Sequence, residues 1–238
     1  VDEASSASAI PGEGTQSALA ISDDQLIVQP NDADGTSIFR VSSKSGSTLL
    51  AVDSTNSLVK AGAGAHIVNT QIKKFALSKA EFASDTSNQW QAIPSTYGDL
   101  SFDVELGTGS DPQTSFTIGT SASGTIQHAW YLPLNITIAS AHAWFGASAA
   151  TGDVVDFKIM QYDVDTSNGS TGGDWSNGVV VCSSPSTIDG QGYEQAYYKS
   201  LTIDTANIDA GKILVACFRQ DGTSSDHTVD IQLVYSLR

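Results

Sequence analysis

The sequence predicts a mainly β protein, with a short N-terminal intertwined β-stalk followed by a C-terminal jelly-roll-like β-sandwich. Three observations support this fold class. Gly, Ser, Thr, Asn and Asp dominate the polar residues, a composition typical of strands and turns rather than of helices. Short apolar segments separated by turn residues recur roughly every eleven residues near the N-terminus. Alternating apolar and polar residues then recur through the C-terminal part.

The chain has 238 residues and a strongly acidic balance, with 26 Asp and Glu against 11 Lys and Arg. The net charge of −15 argues against nucleic acid and anionic membranes as partners, because both repel an acidic surface. No apolar run approaches the roughly 20 residues needed to cross a bilayer, so we expect no membrane insertion. Because the sequence begins with Val1, we expect an N-terminus that is processed, trimmed or numbered from a mature form.

The stalk is predicted in residues 19–65, after a flexible or attachment segment at 1–18. It contains three strand-and-turn units, at 27–29, 38–41 and 49–52. Strands this short cannot bury their apolar faces alone, and three such units make too small a core for a monomeric domain. Other copies of the chain are therefore expected to supply the missing walls. The predicted stalk core consists of Ile27, Phe39, Val41, Leu50 and Val52.

A connector is predicted at residues 66–94, after the glycine-alanine stretch at 61–65. Residues 71–82 are the one stretch with plausible helical content. Helical spacing is approached there by Ile72, Phe75, Lys79 and Phe82, but the run is short and lacks a convincing cap. A short helix and an extended path therefore both remain open, with the extended path preferred.

The β-sandwich head is predicted at residues 95–238. About nine strands separated by Gly, Asn, Asp and Ser turns are typical of a sandwich, and their length and number favour the jelly-roll form. The last strand alternates almost to the C-terminus, so we expect it in the middle of a sheet. The predicted strands lie at 100–106, 114–118, 126–134, 136–145, 151–162, 179–182, 197–203, 213–218 and 228–235.

Several stretches carry a family likeness: 36–41 with Gly46, 49–53 with Asn56, 152–162 and 211–218. With these stretches and the glycine-alanine stretch at 61–65, the chain resembles the trimeric fibre, spike and decoration proteins of tailed bacteriophages. The resemblance implies a homotrimer at the virion surface, assembled in the host cytoplasm. It also implies that residues 1–18 attach to other virion proteins, and that an outward head binds a host-surface glycan or protein.

The loop at residues 163–174 has carboxylates at its first, third and twelfth positions, which is the spacing of an oxygen-ligand calcium loop. Asn168 stands where the sharp-turn glycine is expected, and the last carboxylate is Asp rather than Glu. The alternative is a solvated acidic hairpin loop, and no other cofactor is predicted. The predicted calcium ligands are Asp163, Asp165, Ser167, Gly169 and Asp174.

Two His-Ala-Trp tripeptides, at 128–130 and 142–144, would face each other if they lay on adjacent strands. One interpretation is a sugar-binding aromatic platform or a histidine metal site on a trimer axis. The other is an aromatic sheet face packed into the core or a subunit interface. The candidate receptor or glycan contacts are Trp130, Trp144, Trp175 and Tyr193.

Chemical catalysis has little support in the sequence. No G-x-S-x-G elbow, P-loop or H-E-x-x-H motif occurs, and carboxylates in an acidic β protein usually lie in solvated turns. We therefore expect no enzyme. Cys182 and Cys217 are either small buried hydrophobes or a disulfide, and the sequence leaves this open.

Three functions follow from these expectations. The first is a homotrimeric phage appendage, a fibre or spike on the tail or capsid. It would bind through head loops at 107–113, 163–174 and 183–194, because sandwich domains usually bind through loops. The alternatives are a carbohydrate-binding module of a secreted protein and a bacterial surface adhesin.

Overall fold

The computed structural model describes residues 19–21, 26–28, 33–55, 58–62, 66–67, 70–79, 88–95, 104–119, 122–148, 154–185, 188–189, 195–220 and 226–238. In this part of the chain the protein is mainly β, with seventeen strands and one short helix. None of the described helical residues forms a segment long and apolar enough to cross a membrane. The chain divides into an N-terminal unit, Val1–Thr70, and a C-terminal unit, Gln71–Arg238.

The N-terminal unit contains six described strands: β1 (Leu19–Ile21), β2 (Leu26–Val28), β3 (Phe39–Ser42), β4 (Thr48–Asp53), β5 (Leu58–Ala61) and β6 (His66–Ile67). β1 and β2 form an antiparallel pair, and β3 to β6 form an antiparallel sheet in chain order. The turn between β3 and β4 is closed by the Gly46 amide, which donates to the Ser43 carbonyl at 2.9 Å. Gly46 has φ +86°, a left-handed conformation that a side chain would disfavour.

The C-terminal unit contains the remaining strands and the helix. They are β7 (Thr70–Lys79), β8 (Gln91–Ile93), α1 (Ala122–His128), β9 (Trp130–Tyr131), β10 (Ile136–Ser148), β11 (Val154–Val164), β12 (Trp175–Ser183), β13 (Ile188–Asp189), β14 (Gln195–Ile203), β15 (Asn207–Ile208), β16 (Lys212–Gln220) and β17 (Asp226–Leu237). The strands form one large sheet in the order β7-β17-β10-β14-β12-β11-β16-β8, to which β13, β15 and β9 add short pairings.

This large antiparallel sheet is nearly closed, consistent with a β-sandwich or barrel. β12 and β14 pair over two residues only, so the sheet bends between a β7-β17-β10-β14 half and a β12-β11-β16-β8 half. At the other end, the Ala76 amide of β7 donates to the Pro94 carbonyl just after β8, at 3.1 Å. Strands near the two ends of the C-terminal unit pair with each other, and strands nearer its middle pair in turn: β7 with β17, β8 with β16, β10 with β14, and β11 with β12.

The main core lies between the two halves of this sheet. On β10 the side chains of Ala141, Ala143 and Phe145 are buried, and the Phe145 ring packs 5.4 Å from that of Phe157 on β11. Alternation along β10 therefore turns one face inward and leaves the other outward.

A second core lies against the opposite face of β11 and β16. Met160 and Tyr162 pack there with Trp90, and the segment at 104–118 contributes Val104. Because β16 is buried on both faces, it reads as a continuous apolar run rather than an alternating one.

The segment at 104–118 approaches β12 very closely at Gly178. The Gly178 amide donates to the Thr114 carbonyl at 2.8 Å, and a Cβ atom on Gly178 would lie 2.8 Å from the Thr114 Cα. Such a contact is far too short for a side chain, so glycine is required at this position.

Several sequence predictions are confirmed. Strands occupy the predicted positions in β10, β11, β12, β14, β16 and β17. β17, the C-terminal strand, lies between β7 and β10 and is therefore interior to the sheet, as expected. Of the two alternatives for residues 71–82, the extended path is found in the described part, since Thr70–Lys79 is a strand, and residues 80–82 lie outside the described residues. The C-terminal unit begins at Gln71, so this strand of the predicted connector belongs to it.

Three other strand predictions differ from what the structure describes. Residues 126–134 do not form one strand, because the stretch holds the end of α1 and the two-residue strand β9. In the described part of 100–106 and in 114–118 there are only isolated bridges, Gln91 with Glu105 and Phe116 with Trp175. These alternating segments bury one side on the second core, and backbone hydrogen bonds still join Leu106 to Trp90 and Phe116 to Trp175.

Candidate functional site

The candidate aromatic residues lie in different environments. Trp175 is 3% exposed, and its ring lies 5.1 Å from that of Phe116 in the second core. Trp130 is half-buried, 5.0 Å from the Tyr235 ring. Trp144 alone among the three is largely exposed, at 56%. Tyr193 lies outside the described residues.

The two His-Ala-Trp tripeptides do not face each other, which corrects the sequence expectation. His128 ends helix α1 and is buried, while Trp130 lies on β9, which pairs with β16. His142 and Trp144 lie on β10, whose partners are β14, β15 and β17. The two histidines are therefore not brought together as neighbours across a strand pair.

Trp144 belongs instead to a grid of six side chains on the outer face of β14, β10 and β17. In one row Trp144 pairs with Tyr198 on one side and Asp230 on the other. In the next row His142 pairs with Ser200 and Gln232. Directly paired residues of antiparallel strands point to the same face. We call these the outer-face residues: His142, Trp144, Tyr198, Ser200, Asp230 and Gln232.

The imidazole of His142 links the two rows. Its Nδ1 lies 2.6 Å from the Tyr198 hydroxyl and 3.4 Å from the Ser200 hydroxyl. Its Nε2 lies 3.1 Å from the hydroxyl of Ser140, one pleat along the same strand. The His142 and Tyr198 rings also stack, with centroids 5.6 Å apart. The Tyr198 ring is thus held in place although it is 56% exposed.

Asp230 closes the end of the aromatic row. One carboxylate oxygen, Oδ2, forms an ion pair with Lys74 on β7. The other oxygen, Oδ1, is covered and has no hydrogen-bond partner among the residues that the structure describes. A covered acceptor without a donor costs about 1–3 kcal/mol.

Sequence reasoning identified Trp144 but missed Tyr198, Ser200, Asp230 and Gln232. The alternation along 228–235 could have placed Asp230 and Gln232 on one face, because their neighbours are apolar. The pairing that brings them beside Trp144 could not be read from the sequence. β10 and β17 are separated by some eighty residues.

The predicted calcium ligands are placed in one loop, but each carboxylate has a protein partner. Asp163 forms an ion pair with Lys212 and accepts from the Asn177 amide at 2.8 Å. Those two bonds, with that to Lys212 the larger, hold the pKa of Asp163 below its ordinary value. Asp174 accepts from the backbone amide of Ile118 at 2.9 Å.

Asp165 organises the loop itself. Its carboxylate accepts from the Thr171 hydroxyl at 2.7 Å and from the Ser167 amide at 2.8 Å, and these bonds lower its pKa. The Gly169 carbonyl accepts from the Gly172 amide at 3.1 Å. Within the described part of the chain, no three His, Cys, Asp or Glu side chains are grouped to hold a metal ion. Calcium binding stays a prediction, and it would require these carboxylates to exchange partners.

The two cysteines are free, buried and on opposite sides of one sheet. Cys182 belongs to the main core and Cys217 to the second core, with β11 between their strands. Burial raises the pKa of the Cys182 thiol to about 12 and raises that of Cys217 as well. Thiols in these positions cannot bond to each other without rearrangement of the sheet.

Four of the five predicted stalk core residues share one face of the β3-β4-β5 sheet. Phe39 pairs with Val52 and Val41 with Leu50, and Val52 also pairs with Val59 on β5. This apolar face is incompletely covered, since Val41 is 42% and Val59 is 40% exposed and the other three are half-buried. Ile27 lies on β2, and its side chain is outside what the structure describes.

The opposite face of the same sheet is closed. Ala51 and Asp53 are buried there, and the Asp53 carboxylate accepts from the Lys60 ammonium at 2.7 Å. The sheet therefore has one satisfied face and one open apolar face.

No protein-family model matches the chain, and no curated protein matches it significantly.

Proposed function

We propose that this chain is a non-enzymatic structural protein of a virion: a homotrimeric appendage, fibre or spike on the tail or capsid of a tailed bacteriophage. In this proposal the N-terminal unit forms an intertwined stalk, and the C-terminal unit is an outward head that binds the host surface. The observation that carries the proposal is the open apolar face of the β3-β4-β5 sheet.

This apolar face is a natural contact for further copies of the chain. Burying a Val, Leu or Phe side chain completely contributes about 1.5–3 kcal/mol. Five side chains that are each only partly covered therefore leave a driving force of order a few kcal/mol per chain, before the entropy of association is subtracted. A sheet of short strands is also marginal by itself. Association would supply both the cover and the missing core.

We further propose that the head is a jelly roll. Leaving out the short strands, the first of its eight strands pairs with the last and the second with the second-last. This nested pairing results when one long hairpin folds over into two sheets, as in a jelly roll. Jelly rolls are found in viral capsid and lectin domains. The architecture therefore suits a virion head, and it equally suits a sugar-binding domain.

The remaining parts of the proposal concern position and partners. Residues 1–18 would attach to other virion proteins, the particle would assemble in the host cytoplasm, and the head would lie at the virion surface. The buried free cysteines support assembly in a reducing compartment. The net charge of −15 supports a surface that meets neither nucleic acid nor anionic lipid.

A second candidate function is a carbohydrate-binding module of a secreted protein, and a third is a bacterial surface adhesin. The exposed Trp144 and Tyr198 favour a sugar-binding role. A module would work as a monomer, whereas the appendage requires a trimer, so the oligomeric state separates the two.

Two stalk variants with a matched control test the proposal. Phe39→Asp and Leu50→Asp each place a carboxylate on the apolar face, and an unpaired charge in a trimer core costs several kcal/mol, roughly. Ser42→Asp adds the same charge at an exposed position of β3. Light scattering should show dissociation of the first two variants and an unchanged trimer for the third. Equal trimer stability of all three variants would refute the shared core.

A further inference from the structure

The outer face of β14, β10 and β17 combines exposed aromatic rings with placed polar groups. Trp144 and Tyr198 are directly paired and each is 56% exposed, whereas aromatic side chains on this sheet that point inward are covered. Large exposed aromatic surface on a folded domain usually marks a binding site. Here it is continuous with a carboxylate, a carboxamide, a hydroxyl and an imidazole.

We infer that the outer-face residues bind a neutral oligosaccharide, with one pyranose ring lying on the Trp144 indole. This inference deepens the proposed host-surface binding by naming the ligand class and placing it on the sheet, away from the head loops. It rests on the proposed function only for the biological role of the binding.

The aromatic row supplies the apolar contact. One side of a pyranose ring carries C–H groups, and the indole face has the negative quadrupole that such groups approach favourably. Paired residues across two antiparallel strands lie about 4.5–5.5 Å apart at Cβ. Trp144 and Tyr198 are therefore close enough to contact one sugar ring or two consecutive rings.

The polar groups flank this contact on two sides. Asp230 lies beside Trp144 on β17, and Gln232 lies beside His142 in the next row. The exposed Gln232 carboxamide can bond sugar hydroxyls through its oxygen and its NH₂ group, and the Asp230 carboxylate beside it is held by Lys74. A binding surface with a few placed polar groups around apolar contacts is the usual composition of a small-molecule site.

The site is also partly pre-organised. The Tyr198 ring stacks on His142, and its hydroxyl is bonded to the imidazole at 2.6 Å. The imidazole is in turn bonded to Ser140 at 3.1 Å. Because these side chains are fixed before binding, less conformational entropy is lost when a ligand arrives.

Charge decides between classes of ligand. The chain carries a net charge of −15, so sulfated or carboxylated glycans and nucleic acids are disfavoured. A neutral polyhydroxyl ligand pays no such penalty. The other occupant to be tested is a second copy of the chain.

The test is calorimetric titration of the full chain with maltohexaose, cellohexaose, mannohexaose and chitohexaose. We expect at least one of these neutral hexasaccharides to bind, and a chondroitin sulfate hexasaccharide not to bind. Trp144→Ala should weaken the binding by about tenfold or more, and Tyr198→Ala should weaken it as well. Tyr131→Ala is the matched control, because Tyr131 is 51% exposed on β9, outside the outer-face residues.

Circular dichroism and thermal melting establish that the variants are folded, and Trp144→Phe, which keeps an aromatic ring, should retain part of the affinity. The inference is overturned if no hexasaccharide binds at millimolar concentration, or if Trp144→Ala binds as well as Tyr131→Ala. It is also overturned if Trp144→Ala lowers the oligomeric mass, since the face would then be an interface between copies. If the chain binds a hexasaccharide as a monomer, the result contradicts the trimeric appendage but not this inference. If the chain is a trimer that binds no hexasaccharide, the result contradicts this inference but not the trimeric appendage.

Discussion

The hydroxyl oxygen of Tyr198 lies 2.6 Å from Nδ1 of His142, and the two rings stack at an interplanar angle of 22°. Nε2 of the same imidazole lies 3.1 Å from the Ser140 hydroxyl. A neutral imidazole has one donor and one acceptor nitrogen. Both contacts are satisfied when the tyrosine donates to Nδ1 and Nε2–H donates to the serine. His142 thus holds the exposed tyrosine beside Trp144.

The first prediction concerns this pair. A double-mutant cycle of Tyr198→Phe and His142→Ala, followed by urea unfolding, should give a coupling energy of about 0.5–1 kcal/mol. The value is small because the pair is partly exposed. Tyr131→Phe, on a different strand, should show no coupling to His142→Ala. Independent effects of Tyr198→Phe and His142→Ala would mean that the hydrogen bond does not hold the ring.

The second prediction concerns Trp90, which is fully buried and has two cationic side chains, those of Arg219 and Lys158, over its ring. The Arg219 guanidinium carbon lies 4.6 Å from the Trp90 ring centroid, and Arg219 and the Trp90 indole both donate to the Gly109 carbonyl, at 2.8 and 2.9 Å. These bonds tie the segment at 104–118 to the sheet. Lys158 approaches the same ring, at 5.4 Å.

Arg219→Lys should therefore lower the free energy of unfolding by about 1 kcal/mol. Lysine cannot stack on the Trp90 ring and at the same time bond to both Gly109 and Asp156, as the guanidinium does. Amide hydrogen exchange at Gln113 and Phe116 should accelerate, since both amides are bonded within the region that Arg219 secures. Arg238→Lys, at an exposed pair with Asp209, is the control and should leave these amides unchanged. Unaltered exchange in Arg219→Lys would show that the segment is held by its apolar contacts alone.

The third prediction concerns the thiols of Cys182 and Cys217. With a pKa of about 12, the Cys182 thiol is about one ten-thousandth thiolate at pH 8, and both thiols are buried. The folded chain should therefore react negligibly with a thiol reagent such as DTNB, and should react with two equivalents after unfolding in guanidinium. An unfolded, unreduced chain that releases no thiol would demonstrate a disulfide and contradict the sheet arrangement.

The fourth prediction concerns calcium and the loop at 163–174. If a divalent ion binds the folded loop, the melting temperature should rise with calcium concentration, and Asp165→Ala should abolish the rise. Asp34→Ala, an exposed carboxylate in the other unit, should keep it. Since Asp163, Asp165 and Asp174 already accept hydrogen bonds from the protein, binding must compensate for their loss. A melting temperature insensitive to both calcium and chelator would leave a solvated acidic loop.

The long strands of the C-terminal unit could be predicted from the sequence because at least one face of each is buried. In β10 and β17 the apolar residues of the alternating pattern are the ones that pack into the main core. In β16 the continuous apolar run corresponds to burial of both faces. The same signal failed at 100–106 and 114–118. Val104 and Leu106 pack on the second core and bond to Ala92 and Trp90 without forming a continuous strand, and alternation does not distinguish the two cases.

Strand β7 and the outer-face grid show what the sequence does not reveal. Ile72 and Phe75 fall near helical spacing, yet they lie on a strand whose partner β17 is contributed by the far end of the chain. In the same way, Asp230 reaches Trp144 only through the pairing of β17 with β10. Contacts of this kind depend on register between distant segments, which a local pattern does not encode.

The oligomeric mass of the unmodified full chain tests the trimeric appendage most directly. On the proposed function, sedimentation equilibrium across micromolar concentrations should return three times the 24.8 kDa mass of one chain, because association would cover the apolar face that carries Val41 and Val59. The mass should stay at this value on dilution through that range. A mass of 24.8 kDa would contradict the stalk and favour a monomeric sugar-binding module.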